Sequence, residues 1–186
     1  MPAVALACST AAVLLPVGGG QAWASHVECG DVISSNTTLD SDLHCPNNGV
    51  LIGAAGITLD LDNHRIIGDG KPSTTCDPKV EPCDIGVLND GFNGVTIEHG
   101  SVRGFALGGL SGAARKNRLL DVGATRNDIF GWVLFDLTRS VIRGGAFRRN
   151  IPPEGDGLGV FGCDHVRIRN NKIRNNPGPG LSLIHI

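Results

Sequence analysis

The chain has 186 residues, of which 41% are hydrophobic and 18% are charged, a balance that is ordinary for a protein with a buried core. This composition argues against disorder along the whole chain. The 27 glycines, together with a single Met and no Tyr, favour many turns and short strands. The formal net charge of -2 provides no overall field for a polyanion, so we do not expect nucleic acid as a partner.

Residues 1–24 have the features of a secretory signal peptide. They contain no Asp, Glu, Lys or Arg, carry an apolar run around residues 13–15, and end in the small-x-small tripeptide AWA. Cleavage is predicted before Ser25, which makes the mature protein secreted or extracellular. No basic residue lies near the start, so a different start site or a membrane anchor is the alternative. Pro16 and the glycines after it interrupt the apolar run, so we expect no stable membrane insertion after cleavage.

Four cysteines are predicted to form two local disulfide bridges in an oxidising compartment, Cys29 with Cys45 and Cys76 with Cys83. The first pair brackets the first structured residues, and the second flanks the polar, proline-rich stretch DPKVEP. Zinc binding is the alternative, but no Cys-x-x-Cys pair or histidine cluster offers four ligands at zinc spacing, so no metal site is predicted. Cys163 is left over and is expected to be a buried apolar thiol.

Residues 49–180 contain an internal repeat of about 22–26 residues, with an insertion at residues 71–83. Within each repeat, as in GITLDLDNHRIIG and HVRIRNNKIRNN, apolar and polar residues alternate, which predicts strands with one buried face. The alignment places Arg118 on an inward position, so it predicts either a shifted bend there or an arginine that points outward. The predicted inward columns are Leu61, Ile97, Leu120, Ile142, Ile168; Ile66, Val102, Thr125, Phe147, Ile173; and Leu51, Val87, Leu110, Trp132, Leu158.

The last six residues, LSLIHI, alternate as a strand would, but they also have a second explanation. They are the translation of CTG TCT CTT ATA CAC ATC, the end of a transposase adapter used in preparing sequencing libraries. We therefore expect residues 181–186 to be a read-through artefact and the natural chain to continue beyond Gly180. Residues that complete a functional motif would then lie in later coils.

Short strands and Gly, Asn and Asp bends, with no helical segment between them, predict an all-β parallel solenoid. A propeller would need a longer repeat with hairpin signals, and a leucine-rich repeat would show a dense leucine consensus. In a coil of single parallel strands, equivalent positions stack about 4.8 Å apart and form columns of like residues.

Two stretches carry a resemblance to a known family: CGDVISSNTTLDSDLHCPNNGVLIGAAGITLDLDNHRIIGDG and VRIRNNKIRNN. Over most of residues 29–180 the chain resembles secreted bacterial right-handed parallel β-helix repeat proteins of the pectate-lyase-like superfamily. The resemblance implies a right-handed, single-stranded parallel β-helix and an N-terminal cap segment, residues 25–48, which contains Cys29 and Cys45 and covers the first strand edge. The superfamily includes polysaccharide lyases, hydrolases and epimerases beside many members of no known activity, so the fold does not assign a reaction. We expect a monomer.

The candidate catalytic cluster is Asp156, Asp164, His165 and Arg167, the place where acidic and basic residues are adjacent. Elimination in a uronic acid chain needs a base and a cation, and Ca²⁺ is a cofactor to expect if the protein is a lyase. Hydrolysis instead needs two carboxylic acids that flank one bond. The hydrolase and epimerase motifs of the superfamily are incomplete here, and solvated charges on turns are the alternative interpretation.

A column of arginines, Arg103, Arg126, Arg148 and Arg174, is predicted on the outer face. Stacked guanidinium groups repel one another unless acids or an anionic ligand intervene, and they suit the carboxylates of an acidic polysaccharide. Two functions are therefore considered. The first is a secreted protein that binds or processes an acidic polysaccharide, and the second is a non-catalytic structural or adhesion module of the cell surface.

Overall fold

The computed structural model describes residues 26–71, 84–151, 153 and 155–184. The predicted signal peptide and the predicted Cys76–Cys83 bridge lie outside the described residues. No helix long and apolar enough to cross a bilayer occurs in the part of the chain that is described. The strands are β1 Val32–Ile33, β2 Thr37–Thr38, β3 Leu43–Cys45, β4 Val50–Ile52, β5 Thr58–Asp60, β6 Arg65–Gly68, β7 Ile85–Asp90, β8 Thr96–Arg103, β9 Leu107–Gly112, β10 Arg118–Thr125, β11 Phe130–Phe135, β12 Val141–Arg143, β13 Ala146–Arg148, β14 Asp156–Phe161, β15 Arg167–Arg169, β16 Lys172–Arg174 and β17 Leu181–Ile184.

The strands pair in parallel and form two sheets along the length of the molecule. Sheet 1 has the order β1-β4-β7-β9-β11-β14-β17. Sheet 2 contains the other ten strands, with β15-β12-β10-β8-β5-β2 as its main path. Each coil contributes one strand to sheet 1 and one long or two short strands to sheet 2. The predicted all-β parallel solenoid is therefore confirmed, with about six turns and no helix among the described residues, and its right-handed sense stays a prediction.

A ladder of asparagine side chains holds one bend of each later coil to the next. The Asn127 Oδ1 atom accepts from Phe105 N, Asn150 Oδ1 accepts from Asn127 N, and Asn176 Oδ1 accepts from Asn150 N. The partners are separated by 22, 23 and 26 residues, which confirms the predicted length of the coil. These bonds satisfy backbone N–H groups that the bend would otherwise leave buried without a partner.

The N-terminal segment forms a coil of its own. Strands β1, β2 and β3 pair in parallel with β4, β5 and β6, so the residues predicted as a cap also continue the stacking. The predicted bridge between Cys29 and Cys45 is confirmed, with the two Cα atoms 5.4 Å apart. At the other end, residues 181–184 form β17 against β14, as their alternating pattern allows.

The predicted anchor column is wrong at two positions. Leu119, and not Leu120, pairs with Ile97 on one side. On the other side Ile97 pairs with Leu59, two residues before the predicted Leu61. Both Leu119 and Leu120 are buried, at 6% and 7% exposed, so hydrophobicity alone does not choose between them. With the corrected register Arg118 points outward, which answers the question that the sequence raised. The observed column is Leu59, Ile97, Leu119, Ile142 and Ile168.

Trp132 fills the centre of the solenoid and is fully buried, as predicted. A glycine on the neighbouring coil, Gly109, leaves room for the ring. A Cβ atom at that position would lie 2.5 Å from the Trp132 ring. Gly109 and Val50, and not the predicted Leu110 and Leu51, take the inward positions in their strands.

Candidate functional site

The two sheets present different outer faces. On sheet 1 an outward column is apolar throughout its first five coils, and consists of Val32, Leu51, Leu88, Leu110 and Val133. On sheet 2 many outward positions are charged. The strands of the first coils carry both signs, with Asp60 and Glu98 beside Arg65 and Arg103, whereas every charged residue of β12, β13, β15 and β16 is basic.

The outward positions of β12, β13, β15 and β16 form a surface that we call the basic face. Arg143 lies opposite Arg169 and Arg148 lies opposite Arg174, each pair on adjacent parallel strands about 4.8 Å apart. Within the described residues, no carboxylate lies within ion-pair distance of these cations. The basic face comprises Arg143, Arg148, Arg167, Arg169, Lys172 and Arg174.

The predicted arginine column is interrupted. Thr125, and not Arg126, lies between Arg103 and Arg148, so the prediction that Arg126 stacks with them is wrong. The reason is the one-residue error at Leu120, which shifted the whole coil. Arg126 instead lies in the following bend, with a φ of 57°. Arg103 is thereby separated from the other arginines, whereas the pair at Arg148 and Arg174 is intact and belongs to the basic face. Substrate binding by the four arginines stays a prediction.

The candidate catalytic residues are divided between the two sheets. Asp156 begins β14 in sheet 1 and lines a groove beside Phe130. Asp164 and His165 lie in the bend after β14, where Asp164 Oδ2 and His165 Nδ1 are 2.6 Å apart and both side chains are exposed. Arg167 follows on β15 and lines an open groove with His165. The structure thus brings Asp164, His165 and Arg167 together and leaves Asp156 apart.

The separation of Asp156 from Asp164 matters for hydrolysis. The six residues of β14 span about 16 Å, at roughly 3.3 Å for each step. Paired glycosidase carboxylates lie about 5–9.5 Å apart, so Asp156 and Asp164 do not flank one bond. Ca²⁺ takes six to eight oxygen ligands, and Asp164 is the single carboxylate that the described part of this bend offers. The cluster therefore does not fit that ion, and the catalytic roles stay predictions.

Cys163 precedes this bend and is half-buried. Burial raises the pKa of its thiol, and the Sγ–H group lies 3.4 Å from the Phe161 carbonyl oxygen, to which it donates. A raised pKa disfavours the thiolate, which is the form of cysteine that acts as a nucleophile. It packs against the hydrophobic core, in agreement with the apolar role that the sequence suggested.

A second cluster was missed by the sequence prediction and lies on β5 and β8 of sheet 2. Asp60 and Glu98 are direct partners on β5 and β8, and His99 is the next residue along β8. One ligand atom from each of the three lies within 4.8 Å of the others. The predicted alignment paired Leu61 with Ile97 and therefore placed Asp62, and not Asp60, opposite Glu98. A correct register would have shown the cluster.

The comparisons with known proteins found no match. No family model, no curated protein and no solved structure matched the chain.

Proposed function

We propose that this protein is a secreted β-solenoid that binds an acidic polysaccharide on its basic face. The observation that supports the proposal is the stacking of Arg143 on Arg169 and of Arg148 on Arg174, with no described carboxylate within ion-pair distance. Like charges directly opposite one another on neighbouring strands destabilise the sheet. An anionic ligand along this face would remove that repulsion.

The chemistry of the basic face suits carboxylates. Five of its six cations are arginines, whose planar guanidinium groups bind carboxylates through two parallel hydrogen bonds. Each exposed contact contributes about 0.2–1 kcal/mol, so one contact is weak. A polyuronate presents a carboxylate on each sugar, and several contacts on one polymer chain act together.

Two observations favour a polysaccharide over nucleic acid and binding over cleavage. The other outward residues of the same strands are Val141 and Ala146, so β12, β13, β15 and β16 present no aromatic ring on which bases could stack. Asp156 lies on sheet 1, away from Asp164, so the face lacks a pair of carboxylic acids that could hydrolyse a bound chain.

The test is a binding measurement with polygalacturonate, alginate and hyaluronan, with dextran as the uncharged control and single-stranded DNA as a second polyanion. We expect binding to an acidic polysaccharide and none to dextran. The variant R143Q/R169Q should bind about 2- to 30-fold more weakly, which corresponds to the loss of two exposed contacts.

The matched control is R115Q/K116Q, which removes the same charge at exposed positions outside the basic face. It should bind like the wild type. An equal loss in both variants, or no binding to any acidic polysaccharide, would contradict the proposal and leave the structural or adhesion function. Tighter binding to DNA would contradict the choice of ligand. Release of unsaturated products would show cleavage and contradict a purely binding role.

A further inference from the structure

We propose that Asp60, Glu98 and His99 form a binding site for a divalent transition-metal cation, with Zn²⁺ as its representative. Asp60 and Glu98 are register partners on β5 and β8, and their carboxylates converge with the His99 imidazole so that one ligand atom of each lies within 4.8 Å of the others. The site goes beyond the proposed polysaccharide binding and does not depend on it, because the two involve different coils.

The donor atoms select the class of metal. Imidazole nitrogen suits zinc, copper, iron and nickel, whereas calcium and magnesium prefer sites made only of oxygen. Catalytic zinc sites use three protein ligands of this kind and leave a position for water or another ligand. The His99 Nδ1 and Asp60 Oδ1 atoms are 3.2 Å apart. Two ligands at about 2.05 Å from a tetrahedral zinc ion would be about 3.3 Å apart, so this pair is already at coordination spacing.

The backbone holds two of the three ligands in place. The Asp62 N–H group donates to Asp60 Oδ1 at 2.9 Å, and the Asn63 N–H group donates to the carbonyl oxygen of His99 at 2.6 Å. His99 has a φ of 52°, which turns its side chain at the bend. The residues at the equivalent position of later coils, Asp121 and Asn170, also have a left-handed backbone conformation. The fold therefore imposes this conformation on His99, and the conformation positions the imidazole.

The charge of the cluster also favours a cation. Asp60 and Glu98 lie directly opposite one another, an arrangement that is destabilising for like charges on adjacent strands. The Glu98 carboxylate is half-buried, and no hydrogen bond or ion pair joins it to another side chain among the described residues. A divalent ion would neutralise both carboxylates and bind the neutral imidazole through Nδ1, with the ring proton on Nε2.

The test is a titration of the full chain with Zn²⁺, after treatment with a chelator, in competition with a chromogenic chelator. The wild type is expected to bind one zinc ion that H99N and E98Q bind at least about tenfold more weakly. Asparagine suits position 99 because it tolerates left-handed backbone and occupies the equivalent position at Asn170. E98Q removes one charge from a half-buried side chain with almost no change in volume. It therefore tests the site independently if H99N does not fold.

The matched control is H165N. His165 also has left-handed backbone and pairs with an aspartate, Asp164, but no third ligand converges there among the described residues. H165N should bind zinc like the wild type, and Zn²⁺ should raise the melting temperature of the wild type and H165N but not of E98Q. Equal zinc affinity in the wild type and E98Q, or an equal loss in H165N and H99N, would overturn the assignment.

Discussion

Replacement of Gly109 by alanine tests the packing of the solenoid core most sharply. Gly109 lies on β9 against the buried ring of Trp132, and an added Cβ would be 2.5 Å from Cε2 and 2.6 Å from Cδ2 and Cε3 of that ring. Trp132 is 0% exposed and its Nε1–H group donates to Ser111 Oγ at 3.2 Å. The ring therefore cannot retreat into solvent, and a shift within the core costs the hydrogen bond.

The magnitude follows from three contributions. Overpacking of a core costs about 1–3 kcal/mol. Loss of the hydrogen bond to Ser111 adds about 0.5–1.5 kcal/mol. Alanine restricts the unfolded chain and returns about 0.4–1 kcal/mol, because Gly109 does not have a positive φ. We therefore expect G109A to lower the free energy of unfolding by about 0.5–4 kcal/mol.

The assay is equilibrium unfolding in urea, followed by far-ultraviolet circular dichroism. The control is G112A at the end of the same strand, where the nearest atom to an added Cβ is Leu110 Cδ2 at an ordinary 3.4 Å. G112A should unfold at the wild-type urea concentration or slightly above it. In the W132L background, which removes the ring, G109A should cost less than it does in the wild type. Equal midpoints for G109A and G112A would refute the placement of Gly109 beneath Trp132.

Two further predictions concern the asparagine ladder and a salt bridge. N150A removes the acceptor of Asn127 N and the donor to Asp156 O in a buried bend, so it should lower the free energy of unfolding by about 2–4 kcal/mol. The control N93A loses an exposed contact to Arg115 N and should cost less than half of that. Equal losses in urea unfolding would contradict the role of burial. Partial burial opposes ionisation of Asp42, but hydrogen bonds from Arg65 and its charge outweigh this effect and hold the Asp42 pKa below its usual 3.8. Because the pKa of Asp42 is lowered in the folded state, its carboxylate stabilises the fold above the unfolded-state pKa. The melting temperature of the wild type should therefore exceed that of D42N at neutral pH, and the difference should disappear as pH falls below about 4. A difference in melting temperature that persists at pH 2 would contradict this linkage.

The architecture was predictable because period-two alternation and recurring Gly, Asn and Asp bends are local signals that survive in every coil. The register was less predictable, because adjacent leucines at 119 and 120 satisfy the same hydrophobic pattern. The asparagines could have settled it. Asn127, Asn150 and Asn176 share one bend column, and aligning them places Thr125 beside Arg148.

The candidate sites depend on register, and their prediction failed where the register did. The cluster of Asp60, Glu98 and His99 joins residues on either side of the insertion at 71–83, where no regular repeat length fixes the alignment. The division of Asp156 from Asp164 follows from the length of β14, since a strand of six residues separates two positions that are close in sequence. Adjacency in sequence therefore suggested a shared site that an extended strand does not allow.

The salt dependence of polyuronate binding tests the central claim most directly. Affinity for polygalacturonate should fall as salt rises, because each cation that contacts a carboxylate releases a counterion, and the logarithmic slope should be shallower for R143Q/R169Q than for the wild type and R115Q/K116Q. This result would locate the polymer on the stacked arginines of β12 and β15. An affinity that does not change with salt, or slopes that are equal in all three proteins, would contradict the account.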